Sequence, residues 1–148
     1  MTRLFTLAAV SLVIVACDSG GPDPQEEASA LSGSWITTES ASFGQEPDLD
    51  LNLTFSSNGR VTGSGTLAQE PARIGDPITT YLDLRVEGTW TPDRISLELT
   101  RTVNSSFAAT LSVDRAACLQ TSYTVGTNCD ASITGSQSNP DFAFFKTD

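Results

Sequence analysis

Cysteine is the residue type of this sequence best suited to covalent chemistry, and histidine does not occur in it. Cys17 ends an apolar run, whereas Cys118 and Cys129 lie near the end of the chain. Without histidine, nucleophilic catalysis by a Ser-His-Asp or Cys-His arrangement is excluded. The commonest general base near neutral pH is also missing. The sequence therefore predicts a protein that is not an enzyme and has no catalytic residues.

Cys17 follows a segment that is typical of an export signal. Arg3 is its one charge, and the apolar run that ends at Ala16 is shorter than the roughly 20 residues of a membrane-spanning helix. These features are typical of a secretory signal peptide. The junction "IVAC" resembles the lipobox of bacterial lipoproteins. The resemblance implies that residues 1–16 are removed and that Cys17 carries acyl chains such as palmitate; an ordinary signal peptide with a chance cysteine is the alternative.

Residues 17–30 have the composition of a linker. The stretch "DSGGPDPQEEASA" contains Gly, Pro and acids but no apolar residue larger than Ala, which is typical of a flexible tether. We therefore expect a signal peptide (1–16), a lipidated cysteine with a flexible acidic tether (17–30) and one folded domain (31–148). This organisation predicts an exported protein of the bacterial cell envelope, bound to a membrane through its N-terminus.

Cys118 and Cys129 form an even pair in a chain that we expect to be exported, so a disulfide is the expected state. It would close a short loop over "LQTSYTVGTN". The alternative is a metal site. Because the chain has no histidine, a tetrahedral zinc site would need two carboxylates besides the cysteines, which is unusual. We therefore predict a disulfide, no metal site and no cofactor.

The charge of the chain excludes one class of partner. Eight Lys and Arg stand against 18 Asp and Glu, giving a net charge of −10. Nucleic-acid binding requires clustered cations that replace counterions on the phosphates. The sequence therefore predicts no nucleic-acid partner.

Three short motifs resemble chemical sites but lie in the wrong context. The stretch 63–68 fits the Gly-rich dinucleotide pattern, yet no helix follows it. The run from Asp48 to Asn52 begins like a calcium loop, but Leu53 stands where that loop needs Gly. Asp83 and Glu87 share the outward face of a predicted strand, whereas a glycosidase needs two carboxylates that face each other. A hydrolase that uses two carboxylates is therefore the weakest alternative.

Apolar residues alternate with polar ones along most of the chain from Leu31 onward. In "LDLNLTF", Leu49, Leu51, Leu53 and Phe55 share one face, which indicates a strand and not a helix. The same period recurs in "YLDLRVEGTW" and "RISLELT", and turn residues such as Asn58-Gly59 separate the runs. We expect about eight short antiparallel strands and no helix of useful length.

Eight such strands favour an all-β, antiparallel up-and-down β-barrel, with a two-sheet β-sandwich as the alternative. The stretches "SGSW", "NGRVTGSGT", "VEGTW" and "FAFFK" resemble small lipocalin-like and avidin-like barrels. The resemblance implies that Trp35 seals the closed end of the barrel and that Lys146 on the last strand packs near it. Avidins line their pocket with several Trp, but this chain has only Trp35 and Trp90. The resemblance therefore implies the barrel and not biotin.

The inward faces of the predicted strands are apolar, so the expected function is non-catalytic binding of a small apolar ligand. The alternative is an interaction or structural lipoprotein, inhibitor-like, whose solid barrel contacts an envelope protein through its loops. Aromatic residues are the candidate contacts for either partner. They are Trp35, Trp90, Tyr81 and Tyr123.

Overall fold

The structure of the protein is a computed structural model. It describes residues 21, 23–37, 48–69, 80–103, 107–119, 122–135 and 141–148. The predicted signal peptide and Cys17 lie outside the described residues.

The described residues form one helix followed by eight strands. Their order and bounds are α1 (Pro24–Leu31), β1 (Gly33–Thr37), β2 (Leu49–Phe55), β3 (Arg60–Gln69), β4 (Thr80–Trp90), β5 (Arg94–Arg101), β6 (Ala108–Asp114), β7 (Asn128–Gly135) and β8 (Asp141–Lys146).

The eight strands close into one barrel in chain order. Each strand runs antiparallel to the next, and β1 closes the barrel by pairing with β8, with Trp35 opposite Lys146. This arrangement confirms the predicted up-and-down barrel and excludes the two-sheet sandwich. It also places Lys146 beside Trp35, as the resemblance implies.

Strand β2 shows why the alternation predicts the fold. Its residues alternate between buried and exposed along the whole strand, from Leu49 to Phe55. The turn to β3 contains Asn58-Gly59, where Gly59 has a positive φ of 82°, which glycine adopts without a steric penalty. The turn brings Phe55 opposite Val61, so both point into the barrel.

Inward glycines allow the strands of the barrel to approach closely. Gly65 on β3 lies opposite Leu51 on β2 and Leu84 on β4. A Cβ at this position would lie inside the van der Waals distance of the Asp50 carbonyl oxygen. The stretch 63–68 therefore serves strand packing and not dinucleotide binding.

The segment that includes helix α1 differs from its prediction. The prediction of a flexible tether over residues 17–30 is wrong for residues 24–30, which are helical. The prediction that the chain has no helix of useful length is also wrong. The side chain of Asp23 accepts a hydrogen bond from the Gln25 N–H (2.8 Å), and Pro24 occupies the first turn, so the helix start is well capped. Ala28 and Leu31 are buried, so the helix packs against the barrel.

The interior of the barrel is filled over most of its length. A cavity large enough for a water molecule would leave accessible surface on the side chains that line it. Because the inward side chains have almost none, they are closely packed. The largest fully buried side chains come from helix α1 and from seven of the strands. They include Leu31, Trp35, Leu49, Leu51, Leu53, Val61, Leu84, Val86, Leu97, Leu99, Leu111 and Phe144.

Candidate functional site: the open end of the barrel

The two ends of the barrel are built differently, and helix α1 defines the closed end. The indole Nε1 of Trp35 donates a hydrogen bond to the Leu31 carbonyl oxygen (3.0 Å). The same indole stacks on Phe144, with ring centroids 5.2 Å apart. These contacts hold the end of the helix under the interior of the barrel, as the resemblance to barrels sealed by a Trp implies.

Arg115 completes the seal of the closed end. Its guanidinium lies over the rings of Trp90 and Tyr123, 5.3 and 5.1 Å from their centroids. Its Nε donates a hydrogen bond to the Tyr123 hydroxyl (2.9 Å), and Nη2 forms an ion pair with Glu27 on helix α1. A buried guanidinium needs such partners, because leaving it unpaired in this environment is costly. The arrangement ties helix, barrel and loop together.

The C-terminus adds a polar contact at the same end. The carboxylate of Asp148 accepts hydrogen bonds from the backbone N–H and the hydroxyl of Ser34. The backbone hydrogen bond lowers the pKa of Asp148, and the nearby ammonium of Lys146 acts in the same direction. The Lys146 side chain is buried, and its ammonium forms an ion pair with the Asp148 carboxylate at 4.0 Å.

The predicted pairing of Cys118 with Cys129 is confirmed, since the two cysteines form a disulfide. It links the residues after β6 to strand β7. The described residues of the loop that it closes (119–128) lie beside Arg115, at the closed end.

The aromatic residues proposed as contacts have different surroundings. Trp35 and Trp90 point inward at the closed end, and the Trp90 indole donates to the Ser56 carbonyl oxygen (2.8 Å). Tyr123 is only 9% exposed, so the prediction that it faces a partner is wrong; its ring and hydroxyl are occupied by Arg115. Tyr81 is 57% exposed on the outer wall, and it alone of the four is accessible.

The opposite end of the barrel is apolar and incompletely covered by the described residues. Leu67 and Leu82 lie directly opposite each other on β3 and β4, and Phe107 precedes β6. All three are half-buried and pack on the filled core. We call Leu67, Leu82 and Phe107 the apolar rim. It contrasts with the closed end, where the corresponding apolar side chains are buried under the helix and Arg115.

Arg101 is a charged side chain beside the apolar rim that sequence analysis did not single out. It lies opposite the buried Leu84, and directly opposite residues of an antiparallel pair share a face, so it has inward parity. Its side chain is half-buried. Among the described residues no carboxylate lies within ion-pair distance of it. Its parity with Leu97 and Leu99 was the signal in the sequence.

The outer wall carries the acids and shallow grooves. Asp83 is exposed, and Glu87 pairs with Arg85 at 2.5 Å, so the predicted outward face of this pair is confirmed. One groove crosses the wall over Arg94, Asp114 and Asp130. Most of the side chains that line it are polar or charged.

Metal ligands and membrane-spanning helices give no further site. In the described part of the chain, no group of three or more Cys, Asp or Glu side chains is arranged to hold a metal ion. Helix α1 is too short and too polar to cross a bilayer, and the other described residues contain no helix that could.

Comparisons with known proteins identify no family for this chain. No protein-family model matches it, and no curated protein does. A solved structure, that of apo shwanavidin in a P21 crystal form, is similar to it at 16% sequence identity, with a TM-score of 0.45. The match covers 79% of this chain and 93% of that chain. The assignment of the fold rests on the strand pairings of the chain itself.

Proposed function

We propose that this protein is a non-catalytic binding protein of the bacterial cell envelope, anchored by lipid at Cys17, that holds a small apolar ligand at the open end of its barrel. The observation that carries the proposal is the difference between the two ends. The closed end is sealed by helix α1 and Arg115, whereas the apolar rim leaves half-buried side chains at the other end.

The filled interior limits how deep a ligand reaches. Leu49, directly opposite the rim residue Leu67, and Leu99 on β5 are fully buried, so the ligand contacts the rim and does not enter the core. Its apolar part gains about 25 cal/mol for each Å² removed from water. Arg101 provides a cation for an anionic group on the ligand, since no described carboxylate already neutralises it. An apolar molecule with an acidic end fits both features.

The second candidate is an interaction lipoprotein that contacts a protein partner. Close packing of the interior supports it, because a solid barrel needs no ligand to fill it. The exposed Tyr81 on the outer wall is the aromatic side chain available for such a contact.

Native mass spectrometry of the full chain, purified from membranes in mild detergent, tests the choice. We expect an additional mass of a few hundred daltons that is lost on denaturation, and less of it in Leu82→Asp and Arg101→Gln. Tyr81→Ser on the outer wall is the matched control and should retain the ligand. A clean unliganded mass in the unaltered protein would overturn the ligand proposal and favour the protein partner.

A further inference from the structure

The loop closed by the disulfide carries two strongly exposed apolar side chains. Leu119 is 78% exposed and Val125 is 64% exposed. We call residues 119–128 the disulfide loop; residues 120 and 121 lie outside the described part of it. Single exposed apolar residues are common on protein surfaces. Whether Leu119 and Val125 form a contact surface therefore depends on where they lie and on how rigidly the loop is held.

The disulfide loop holds these side chains outward by fixed backbone contacts. The Leu119 N–H donates to the Asn128 carbonyl oxygen (2.7 Å), and the Gly126 N–H donates to the Lys146 carbonyl oxygen (2.8 Å). Between them, Tyr123 is buried under Arg115. The loop therefore buries its aromatic residue and presents its aliphatic residues to the surroundings.

The disulfide loop lies at the end of the barrel from which the N-terminal segment departs. Arg115 joins the Tyr123 ring to Glu27 on helix α1, so the loop and the helix are neighbours. Only residues 18–23 separate Cys17 from the first residue of the helix. The seven steps from Cys17 to Pro24 span at most about 25 Å, so a lipid on Cys17 holds the start of helix α1, at the closed end, within that distance of the bilayer.

We propose that Leu119 and Val125 contact the surface of the bilayer in which the lipid of Cys17 is anchored, so that the closed end rests on the membrane. This inference depends on the lipid anchor of the proposed function and does not depend on the ligand. Asp23 and Glu26 at the same end are exposed, and the Arg115 guanidinium is buried and paired. The contact is therefore apolar, and it does not need anionic lipid.

Fluorescence quenching by brominated lipid tests this orientation. Leu119→Trp and Val125→Trp are made in the full lipidated chain, which is reconstituted into phosphatidylcholine vesicles with brominated acyl chains. Val103→Trp is the matched control, because Val103 is 65% exposed but follows β5 at the open end. Trp35 and Trp90 are buried, and the unsubstituted protein gives their background. We expect at least about twofold stronger quenching for the two loop variants than for the control, as for side chains that enter the headgroup region.

The outcomes separate the anchor from the contact. Protein that does not remain with the vesicles shows that the lipid anchor is absent and that the proposed anchoring fails. Protein that remains with them, but is quenched equally at positions 119 and 103, overturns the membrane contact alone. A loop Trp that lipid does not quench, yet is shielded from aqueous iodide, shows that protein or a second copy covers the loop, and this also overturns the proposal.

Discussion

Glu27 on helix α1 forms an ion pair with Arg115, whose side chain is only 3% exposed to solvent. The two residues are 88 positions apart in the chain. The pair links the segment that precedes the barrel to the loop after β6. It makes helix α1 part of the folded domain and not a free linker.

Replacing Glu27 by Gln tests the importance of this pair. Because Arg115 would stay buried without a counter-charge, we expect Glu27→Gln to lower the free energy of unfolding by about 2–4 kcal/mol. Urea unfolding followed by tryptophan fluorescence measures the change. Glu26→Gln, at the exposed neighbouring position, should change it by less than about 0.5 kcal/mol. Equal effects of the two substitutions would contradict the role of the ion pair.

Asp148 predicts an acid dependence of stability. Its folded-state pKa lies below the ordinary value of 3.8 because the Ser34 N–H donates to it. A lowered folded pKa means that the carboxylate stabilises the fold above that ordinary value, and that this contribution disappears as the pH falls through the folded pKa. We therefore expect Asp148→Asn to lower the urea midpoint at pH 7 and to match the unaltered protein in strong acid.

The pH series needs a control for general acid effects. Asp130→Asn, on the outer wall, is the control. We expect it to show no difference from the unaltered protein that is present at pH 7 and disappears in strong acid. A difference between Asp148→Asn and the unaltered protein that stays constant from pH 7 to strong acid would show that the charge of Asp148 has no part in it.

Gly65 predicts the effect of a single methyl group inside the barrel wall. The Cβ of an alanine at this position would collide with the Asp50 carbonyl oxygen on β2, so strands β2 and β3 would have to separate. We expect Gly65→Ala to lower the free energy of unfolding by about 1–3 kcal/mol, measured by thermal or urea unfolding. Ser64→Ala on the exposed face of the same strand is the control and should be nearly neutral. An equally stable Gly65→Ala would show that the strands are further apart than described.

Cys17 predicts where the protein is found in the cell. Cys17→Ser removes the thiol that would receive acyl chains, so we expect the protein to move from the membrane fraction to the soluble exported fraction. Cell fractionation and intact mass measure this change. Ser19→Ala, two residues further on, should remain with the membrane and keep the mass of the lipid. A Cys17→Ser protein that stays membrane-bound would contradict lipid anchoring.

The strands could be predicted from the sequence, whereas helix α1 and the contacts of Arg115 could not. Alternation from Leu49 to Phe55 directly reflects which side chains face the core, and it needs no knowledge of distant residues. Helix α1 buries only Ala28 and Leu31, which is too few apolar residues for a helical period. Its local signal was the Asp23-Pro24 pair at its start.

The candidate site was predicted only in its general character. The apolar inward face gave the expected ligand class, but which end is sealed depends on helix α1 and on Arg115, whose contacts join residues far apart in sequence. Burial of Tyr123 follows from the same cation, so its position in a loop was misleading. Arg101 follows the last residue of an alternating apolar run. A charged residue at that position indicates the end of a strand, so the parity of Arg101 alone does not mark it as an inward-facing side chain.

Pairing of β1 with β8 has a consequence for the behaviour of many copies at once. It closes the barrel, so every one of the eight described strands has two neighbours within its own chain. Open sheet edges are the templates on which other chains add strands and aggregate. Copies of this protein at high concentration therefore present no open edge of these eight strands to one another, so the described barrel offers no template for adding strands from another copy.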